Sequence, residues 1–131
     1  MKYLLSLSLF LLSNLALAEG RIRISTEDQD GIRWLDLHGE SIPASYGMEL
    51  EVFYSNEDLS VVDGNSKISG PQIQKGDFFS EFAYEIANNV DVRVGRIRYA
   101  ISLLKPADPI SGNGHLARIG FFTKTNKIVN I

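Results

Sequence analysis

The feature that most constrains this chain is the segment Met48–Asp63, in which apolar and polar residues alternate up to a turn. Side chains of a strand point alternately to its two faces, so the alternation separates an apolar face from an acidic one. The apolar face would carry Met48, Leu50, Val52 and Tyr54, and the other Glu49, Glu51 and Phe53. Ser55–Asp58 has turn composition, because Ser, Asn and Asp bond to their own nearby backbone. We therefore expect a half-buried strand, a turn, and a second short strand at Leu59–Val62.

Further short alternating segments, separated by turn residues, follow along the chain. They are Arg21–Ser25, Ile32–His38, Gly95–Ser102, His115–Phe122 and the short apolar piece Lys127–Ile131. Asp77–Ala87 suits a helix or a strand, and its aromatic content favours a strand. Turns or loops are expected, from Gly, Pro, Asn and Asp, at Glu27–Gly31, Gly39–Gly47, Gly64–Gly76, Asn88–Asn89 and Leu103–Gly114. Seven to nine short strands at this spacing predict an all-β fold, an antiparallel β-sandwich.

The first 18 residues have the composition of a secretory signal peptide. Lys2 precedes an almost wholly apolar run, Tyr3–Leu17, and Ala16–Ala18 has the small-x-small form of a signal-peptidase site. A transmembrane anchor is the alternative, but the run is short for a membrane span. We expect cleavage after Ala18, one mature domain over residues 19–131, and a secreted or periplasmic product with no membrane insertion after cleavage.

Charge and cysteine content narrow the classes of partner. The chain has a formal net charge of −3, and loss of Lys2 with the leader would make it −4. An acidic chain with scattered basic residues argues against nucleic acid and anionic membranes as partners. The sequence contains no cysteine, so it forms no disulfide and no cysteine can carry a lipid. The expected product is a monomer whose stability depends on its packed core.

Small motifs in the chain do not combine into a metal or catalytic site. Thr26–Gly31 is similar to a calcium loop, but alignment on its glycine puts Leu37 where a bidentate glutamate is needed. The only histidines, His38 and His115, are far apart in the sequence and lack a third ligand, and His115 is expected to be solvated. Gly112–Gly114 lacks the following helix that a phosphate cradle requires. We therefore predict no metal, no cofactor and no catalytic residue.

Four segments, taken in order, resemble the cohesin domain family, whose wider fold group includes cellulose-binding modules. They are Gly47–Asp63, with a strand, a turn and L-x-V-V; Gly70–Phe79, the loop into the next strand; Gly95–Ser102, with G-x-I-x-x-A; and Ser111–Phe121, with G-x-G-x-L-A-x-I-x-F. The match covers residues 47–124, whereas residues 19–46 match poorly and Ser55 replaces the aspartate usual after the tyrosine. The resemblance implies a jelly-roll β-sandwich that is not an enzyme and that holds partner proteins, chiefly calcium-loaded dockerins.

In cohesin domains one sheet forms the partner face, and the resemblance places on it the strands at 48–54, 81–86, 95–102 and 115–122. In the family's strand order, outward charges of alternating sign would be neighbours. They are Arg118, then Glu49 and Glu51, then Arg96 and Arg98, then Glu81 and Glu85. Cross-strand pairs of opposite charge stabilise a sheet by about 0.2–1 kcal/mol each. The predicted site, Glu49, Glu51, Arg96, Arg98 and Arg118, is either a solvated face held by ion pairs or a partner-binding surface.

Two binding functions follow from these observations, and an enzymatic function is disfavoured. The first is protein recognition through the charged residues, by a dockerin-like or envelope protein, in an extracellular assembly that can be linked to polysaccharide degradation. The second is carbohydrate binding by Trp34, Tyr46 and Phe53, if they form an exposed row. Their burial would favour the first function. A small hydrolase would need a nucleophile motif or two carboxylates converging in a cleft, and the sequence indicates neither.

Overall fold

The structure, a computed structural model, describes residues 5–13, 20–79 and 83–124. Eight strands occur in this part of the chain: β1 (Leu5–Ser13), β2 (Arg21–Gln29), β3 (Ile32–Tyr54), β4 (Leu59–Val61), β5 (Gln74–Lys75), β6 (Tyr84–Asp91), β7 (Arg96–Ser102) and β8 (Ile110–Thr123). The described ranges contain no helix long and apolar enough to cross a membrane. The expected piece Lys127–Ile131 lies outside the described residues.

The hairpin between β2 and β3 turns on two residues, Asp30 and Gly31. Their φ angles are 54° and 79°, and Gln29 pairs with Ile32 on either side of them. Two consecutive residues at positive φ form the turn whose twist matches that of the flanking strands, and Asp-Gly is a favoured pair for it. The turn is therefore shorter than the expected Glu27–Gly31, and β2 runs on to Gln29.

β3 is one strand of 23 residues that passes through the predicted connection Gly39–Gly47. The prediction of a loop there was wrong, because the strand tolerates its turn-forming residues through irregularities in pairing. Its register against β8 shifts three times between Leu37 and Ser45. Ser41 has a φ of 52°. Pro43 is compatible with such a stretch, because proline is accepted in sheets where a ladder hydrogen bond is missing.

The whole sheet is antiparallel and folds over on itself at β3, which belongs to two layers. The first part of β3 lies between β2 and β8, and β4 and β5 pair with the other edge of β8. The second part of β3 lies between β1 and β7, and β6 pairs with the other edge of β7. The described part of the chain is thus an antiparallel β-sandwich, as the sequence predicted.

Both layers direct alternate side chains into one core. The buried residues include Leu35, Leu37, Leu50, Val52, Ile97, Tyr99, Ile101, Ala117, Ile119 and Phe121. The rings of Tyr54 and Phe121, one from each layer, meet edge to face at 5.6 Å. Alternation along Gly95–Ser102 buries Ile97, Tyr99 and Ile101, and alternation along His115–Phe122 buries Ala117, Ile119 and Phe121. Ile32–His38 buries Leu35 and Leu37.

Two further loop predictions were wrong. Asn88 and Asn89 lie within β6 instead of forming a turn, and the Asn88 amide bonds to both the N–H and the C=O of Ile73, at 3.0 and 2.9 Å. The Asn88 side chain thereby holds the loop that contains Ile73 against the sheet, which is a use of asparagine other than turn formation. Ile110–Gly114 belongs to β8 instead of to the loop that precedes it. Of the expected strand Asp77–Ala87, only its last part, from Tyr84, is strand among the described residues.

β1 consists of residues from the predicted leader. Its backbone runs antiparallel to the second part of β3, with Leu5 opposite Tyr54 and Ser13 opposite Ser45. In the unprocessed chain, the leader thus completes the edge of the second layer. Removal of the leader after Ala18 stays a prediction.

The fully buried hydroxyl of Tyr99 gives a test of the core. It has no hydrogen-bond partner among the described residues, and burial, with a smaller effect of Glu85, raises its pKa above the ordinary value of 10.0. Tyr99→Phe removes an unpaired polar group, so we expect the free energy of unfolding to rise by about 1 kcal/mol near neutral pH. Urea denaturation of both proteins measures the difference.

The same substitution should change how the free energy of unfolding depends on pH in the alkaline range. Above pH 10 the unfolded Tyr99 ionises while the folded one keeps its proton, so wild-type stability falls as pH rises. Tyr99→Phe should make this fall shallower. Tyr84→Phe, at an exposed position on β6, is the matched control and should leave both quantities unchanged. A loss of stability in Tyr99→Phe would contradict the prediction.

Candidate functional site

The charged face consists of Glu49 and Glu51 on β3 and Arg96 and Arg98 on β7. The alternation of both strands turns these side chains outward, because Leu50 and Ile97 between them point into the core. The Nη2 atom of Arg96 lies 2.6 Å from Oε1 of Glu51, and Nε of Arg98 lies 3.0 Å from Oε1 of Glu49. The structure thus brings together four of the five predicted site residues.

Both ion pairs run diagonally across the two strands. Arg98 lies directly opposite Glu51 but contacts Glu49, and Arg96 lies opposite Phe53 but contacts Glu51. The four side chains keep between 21% and 43% of their surface exposed. Pairs this exposed contribute about 0–1 kcal/mol to stability. The charged face is therefore accessible to a partner, and the fold depends little on it.

The expected neighbours of the charged face on β6 differ from those observed. Glu81 lies outside the described residues, and Glu85 lies opposite Ile101, away from both arginines. Asn89 lies opposite Arg98, and Asp91 lies opposite Arg96. An acidic residue on β6 thus does neighbour Arg96, but it comes from the part of the chain expected to follow the turn.

Arg118 does not lie on the charged face, and its predicted position beside Glu49 and Glu51 was wrong. β8 pairs with the first part of β3 instead of the second, so Arg118 lies directly opposite Asp36. Its Nη1 is 3.8 Å from Oδ2 of Asp36, and its Nη2 is 3.4 Å from Oε2 of Glu27. Arg118 therefore belongs to the outer surface of the other layer.

The sequence reading missed a polar cluster on that outer surface. His38 and His115 lie opposite each other on β3 and β8, with ring centroids 5.3 Å apart. Nε2 of His115 is 2.8 Å from Oδ1 of Asp36, and Nε2 of His38 is 3.1 Å from Oγ of Ser25. His115 is therefore half-buried and bonded instead of solvated as expected. Only the pairing of β3 with β8 brings the histidines together, and no spacing in the sequence signals that pairing.

The polar cluster has neither a metal-site nor a catalytic arrangement. Among the described residues, no three His, Asp or Glu side chains are placed to hold a metal ion. Ser25 bonds to His38 whereas Asp36 bonds to His115, so they do not form the single Ser–His–Asp chain of a nucleophilic triad. The cluster borders an open cleft of about 450 Å³, whose lining includes Arg23, Glu40 and Asp77. Its hydrogen bonds join β2, β3 and β8 across the outside of the layer.

The acidic turn that is similar to a calcium loop is occupied by an ion pair. Nε and Nη2 of Arg33 bind the two carboxylate oxygens of Asp28 at 2.7 and 2.9 Å. The hydrogen bond to Arg33 lowers the pKa of the Asp28 carboxyl below its ordinary value. This two-point contact spans the β2–β3 hairpin and supports its short turn.

The three candidate aromatic residues do not form a row. Trp34 lies on the outer surface of the first layer, and Phe53 on that of the second, because both parts of β3 face the same core. The guanidinium carbon of Arg118 lies 4.5 Å from the centroid of the Trp34 ring. Tyr46 lies apart from both, in the lining of a cleft that also includes Ser102, Leu103 and residues 105–108. Tyr46 and Phe53 are each 38% exposed, so the aromatics are neither buried together nor aligned.

Comparison with solved structures identifies the fold. A type II cohesin–X-dockerin complex from Acetivibrio cellulolyticus, an N-terminal interface mutant, matches with a TM-score of 0.61 at 16% identity, over 83% of this chain and 74% of that chain. The second type II cohesin module of an adaptor scaffoldin from the same organism gives 0.63 at 16%, over 86% and 74%. A type II cohesin domain from its cellulosome gives 0.62 at 17%, over 79% and 68%.

No protein-family model and no curated protein sequence matches the chain. At 16–17% identity the structural likeness establishes the fold alone. The chain therefore has a cohesin-like fold, that of type II cohesin modules, as its motifs implied.

Proposed function

We propose that this chain is a non-catalytic, exported binding module that recognises a protein partner through its charged face. The fold likeness supports a binding role, because one of the similar modules was solved in a complex with a dockerin. The observation that carries the proposal is the pair of exposed diagonal ion pairs, Arg96–Glu51 and Arg98–Glu49. Charges arranged in this way give specificity and association rate to an interface while adding little to stability.

The chemistry of the face describes the partner that would fit it. Two acidic and two basic side chains alternate over neighbouring strands, so a complementary surface carries charges of both signs in the opposite order. Phe53 beside Arg96 adds an apolar contact that is 38% exposed. A dockerin-like protein or an envelope protein is the proposed class of partner. Secretion or periplasmic export, and a link to polysaccharide degradation, belong to this proposal.

Carbohydrate binding is the weaker candidate for the same chain. Sugar recognition of the expected kind needs exposed aromatic rings in one plane. Trp34 and Phe53 lie on opposite outer surfaces, and Arg118 covers one face of the Trp34 ring. No observation of the aromatic positions therefore favours a polysaccharide ligand over a protein.

Charge exchange on the face gives the test. The variant Glu49→Arg/Glu51→Arg and the variant Arg96→Glu/Arg98→Glu each place like charges side by side. A fourfold variant that combines them restores both ion pairs with reversed polarity. We expect all three to lose at least 10-fold in capture of a partner from the exported proteins of the native host, with the C-terminally tagged chain as bait, since mismatched charges cost several kcal/mol at an interface.

The fourfold variant separates docking from folding. Its thermal stability should return to about that of wild type, because opposite charges again face each other. Captures with and without calcium would show whether the partner is dockerin-like. Capture by the fourfold variant at the wild-type level, or retention on polysaccharide unaffected by every exchange, would overturn docking through the charged face.

A further inference from the structure

One edge of the second part of β3 is paired with β1, and the predicted signal-peptide cleavage would remove β1. β1 (Leu5–Ser13) lies wholly within the leader that ends at Ala18, and it pairs along β3 from Ser45 to Tyr54. The other edge of this part of β3 is taken by β7. The exported chain, once cleaved, therefore has a long acceptor edge on the second layer.

The register between β1 and β3 indicates which kinds of residue a strand paired with this edge carries. From Met48 to Tyr54, each β3 residue that faces the core has a leucine at the opposite position. The pairs are Leu5–Tyr54, Leu7–Val52, Leu9–Leu50 and Leu11–Met48. Phe53 and Glu51, which face outward, lie opposite Ser6 and Ser8, and Glu49, which also faces outward, lies opposite Phe10. Directly opposite residues of an antiparallel pair share a face. A fitting strand therefore has apolar residues at its alternate, core-facing positions, whereas its outward positions accept a small polar residue or an aromatic one.

An edge of this kind is costly to leave open. Met48, Leu50 and Val52 are at most 1% exposed with β1 in place. Loss of β1 opens one side of these residues to water and leaves backbone N–H and C=O groups of β3 without their strand partners. Natural proteins cover or pair such edges, and addition of a strand from another chain is a common way to do so.

The charges on β3 argue against a second copy of this chain as the occupant. In a two-fold symmetric, antiparallel pairing of two β3 edges centred on Leu50, Glu49 of each copy would lie opposite Glu51 of the other. Like charges directly opposite each other destabilise a sheet. A strand with uncharged or basic residues at its outward positions avoids this repulsion.

We propose that the Ser45–Tyr54 edge of β3 is a strand-acceptor site. Its occupant in the exported protein is an extended segment of a different protein, with apolar residues at alternate, core-facing positions and uncharged or basic residues between them. Backbone pairing supplies the affinity, and the core-facing positions supply the specificity. This surface goes beyond the docking proposed for the charged face and does not depend on it, although it does depend on removal of the leader.

Strand exchange in the full chain tests the site. A specific protease sequence is introduced between Ser13 and Gly20, and the uncut protein is purified without export. After cutting, a fluorescent peptide with the β1 sequence, LSLSLFLLS, is added with a solubilising tail. We expect uptake at one peptide per chain after cutting and none before it. A control peptide with Leu7→Asp and Leu9→Asp should bind at least about 100-fold more weakly, since it would bury charges against the core.

Two further measurements identify the chemistry of the occupant. A peptide with Ser6→Lys and Ser8→Lys should bind about 3- to 10-fold more tightly than the parent. That preference should disappear in the Glu49→Gln/Glu51→Gln protein. The fourfold charge-exchange variant should still take up the parent peptide, so failure of docking at the charged face and failure of strand acceptance are distinguishable.

If the cut protein unfolds, refolding by the parent peptide and not by the control peptide supports the site, and refolding by neither overturns it. A cut protein that stays folded and monomeric without taking up peptide overturns the proposal. So does a cut chain that keeps β1 bound against a large excess of peptide, because the edge would then belong to the chain itself. Dimerisation of the cut protein in native mass spectrometry overturns it in favour of a second copy.

Discussion

Gly95→Ala is expected to lower the free energy of unfolding by about 2–5 kcal/mol. Gly95 ends the turn between β6 and β7, where its φ is +74° and a Cβ atom would collide with the carbonyl oxygen of Tyr54. An alanine in the left-handed region costs about 1–2 kcal/mol. Relief of the collision costs roughly another 1–3 kcal/mol, as in overpacked sites. Gly95 also donates to the Asp91 carbonyl and accepts from the Tyr54 N–H, so the backbone cannot move without breaking these bonds.

Gly112→Ala is the matched control for this substitution. Gly112 has a φ of +106°, and nothing lies within 4 Å of the place where its Cβ would be. It therefore carries the conformational cost alone, about 1–2 kcal/mol. Thermal unfolding of the two variants should give a decrease in melting temperature at least twice as large for Gly95→Ala. Equal decreases would show that contact with Tyr54 contributes nothing.

Leu50→Ala is expected to cost about 2–5 kcal/mol, the range for a large-to-small change in a packed core. Leu50 has no exposed surface and lies in the middle of the second part of β3, directly opposite Tyr99 on β7. β1 and β7 are hydrogen-bonded to the two edges of this part of β3, so they cannot easily move to fill the cavity left by the smaller side chain. The free energy of unfolding is obtained from urea denaturation. A lower midpoint with an unchanged slope would identify the cost as lost stability.

Glu49→Ala, one residue away, is the matched control for Leu50→Ala. Its side chain lies on the opposite face of the same strand, where it forms an ion pair with the partly exposed guanidinium of Arg98 on β7. We expect a change within about 1 kcal/mol. A cost for Glu49→Ala as large as that for Leu50→Ala would contradict the assignment of the two faces.

Alternation predicted the faces of the strands well, because it reports a local property of the backbone. Met48, Leu50 and Val52 are buried as their spacing required, and Arg96 and Arg98 are outward. Which residues of a strand share its buried face can be predicted without knowing which strand lies beside it. This part of the fold, and the four charges of the charged face, followed from the sequence.

The sequence pattern did not predict which distant strands pair with each other. Arg118 would neighbour Glu49 only if β8 bordered the second part of β3, but β8 borders the first part. The same pairing joins His38 to His115, which lie 77 residues apart by their numbers. The local preference of Asn88 favours a turn, but its side-chain amide bonds to the backbone of Ile73 and the residue lies within β6. In each case a long-range contact, invisible to a local pattern, decided the outcome.

The sharing of β3 between the two layers has a kinetic consequence. Neither layer has its central strand until β3 is in place, and its partners β7 and β8 come from the second half of the chain. The loops that bring them together must close before their hydrogen bonds and buried surface repay the lost chain entropy. Topologies dominated by such distant pairings fold in milliseconds to seconds instead of microseconds. Both layers should therefore form in a single slow step, so the nascent chain exposes its apolar strands until most of it has been synthesised.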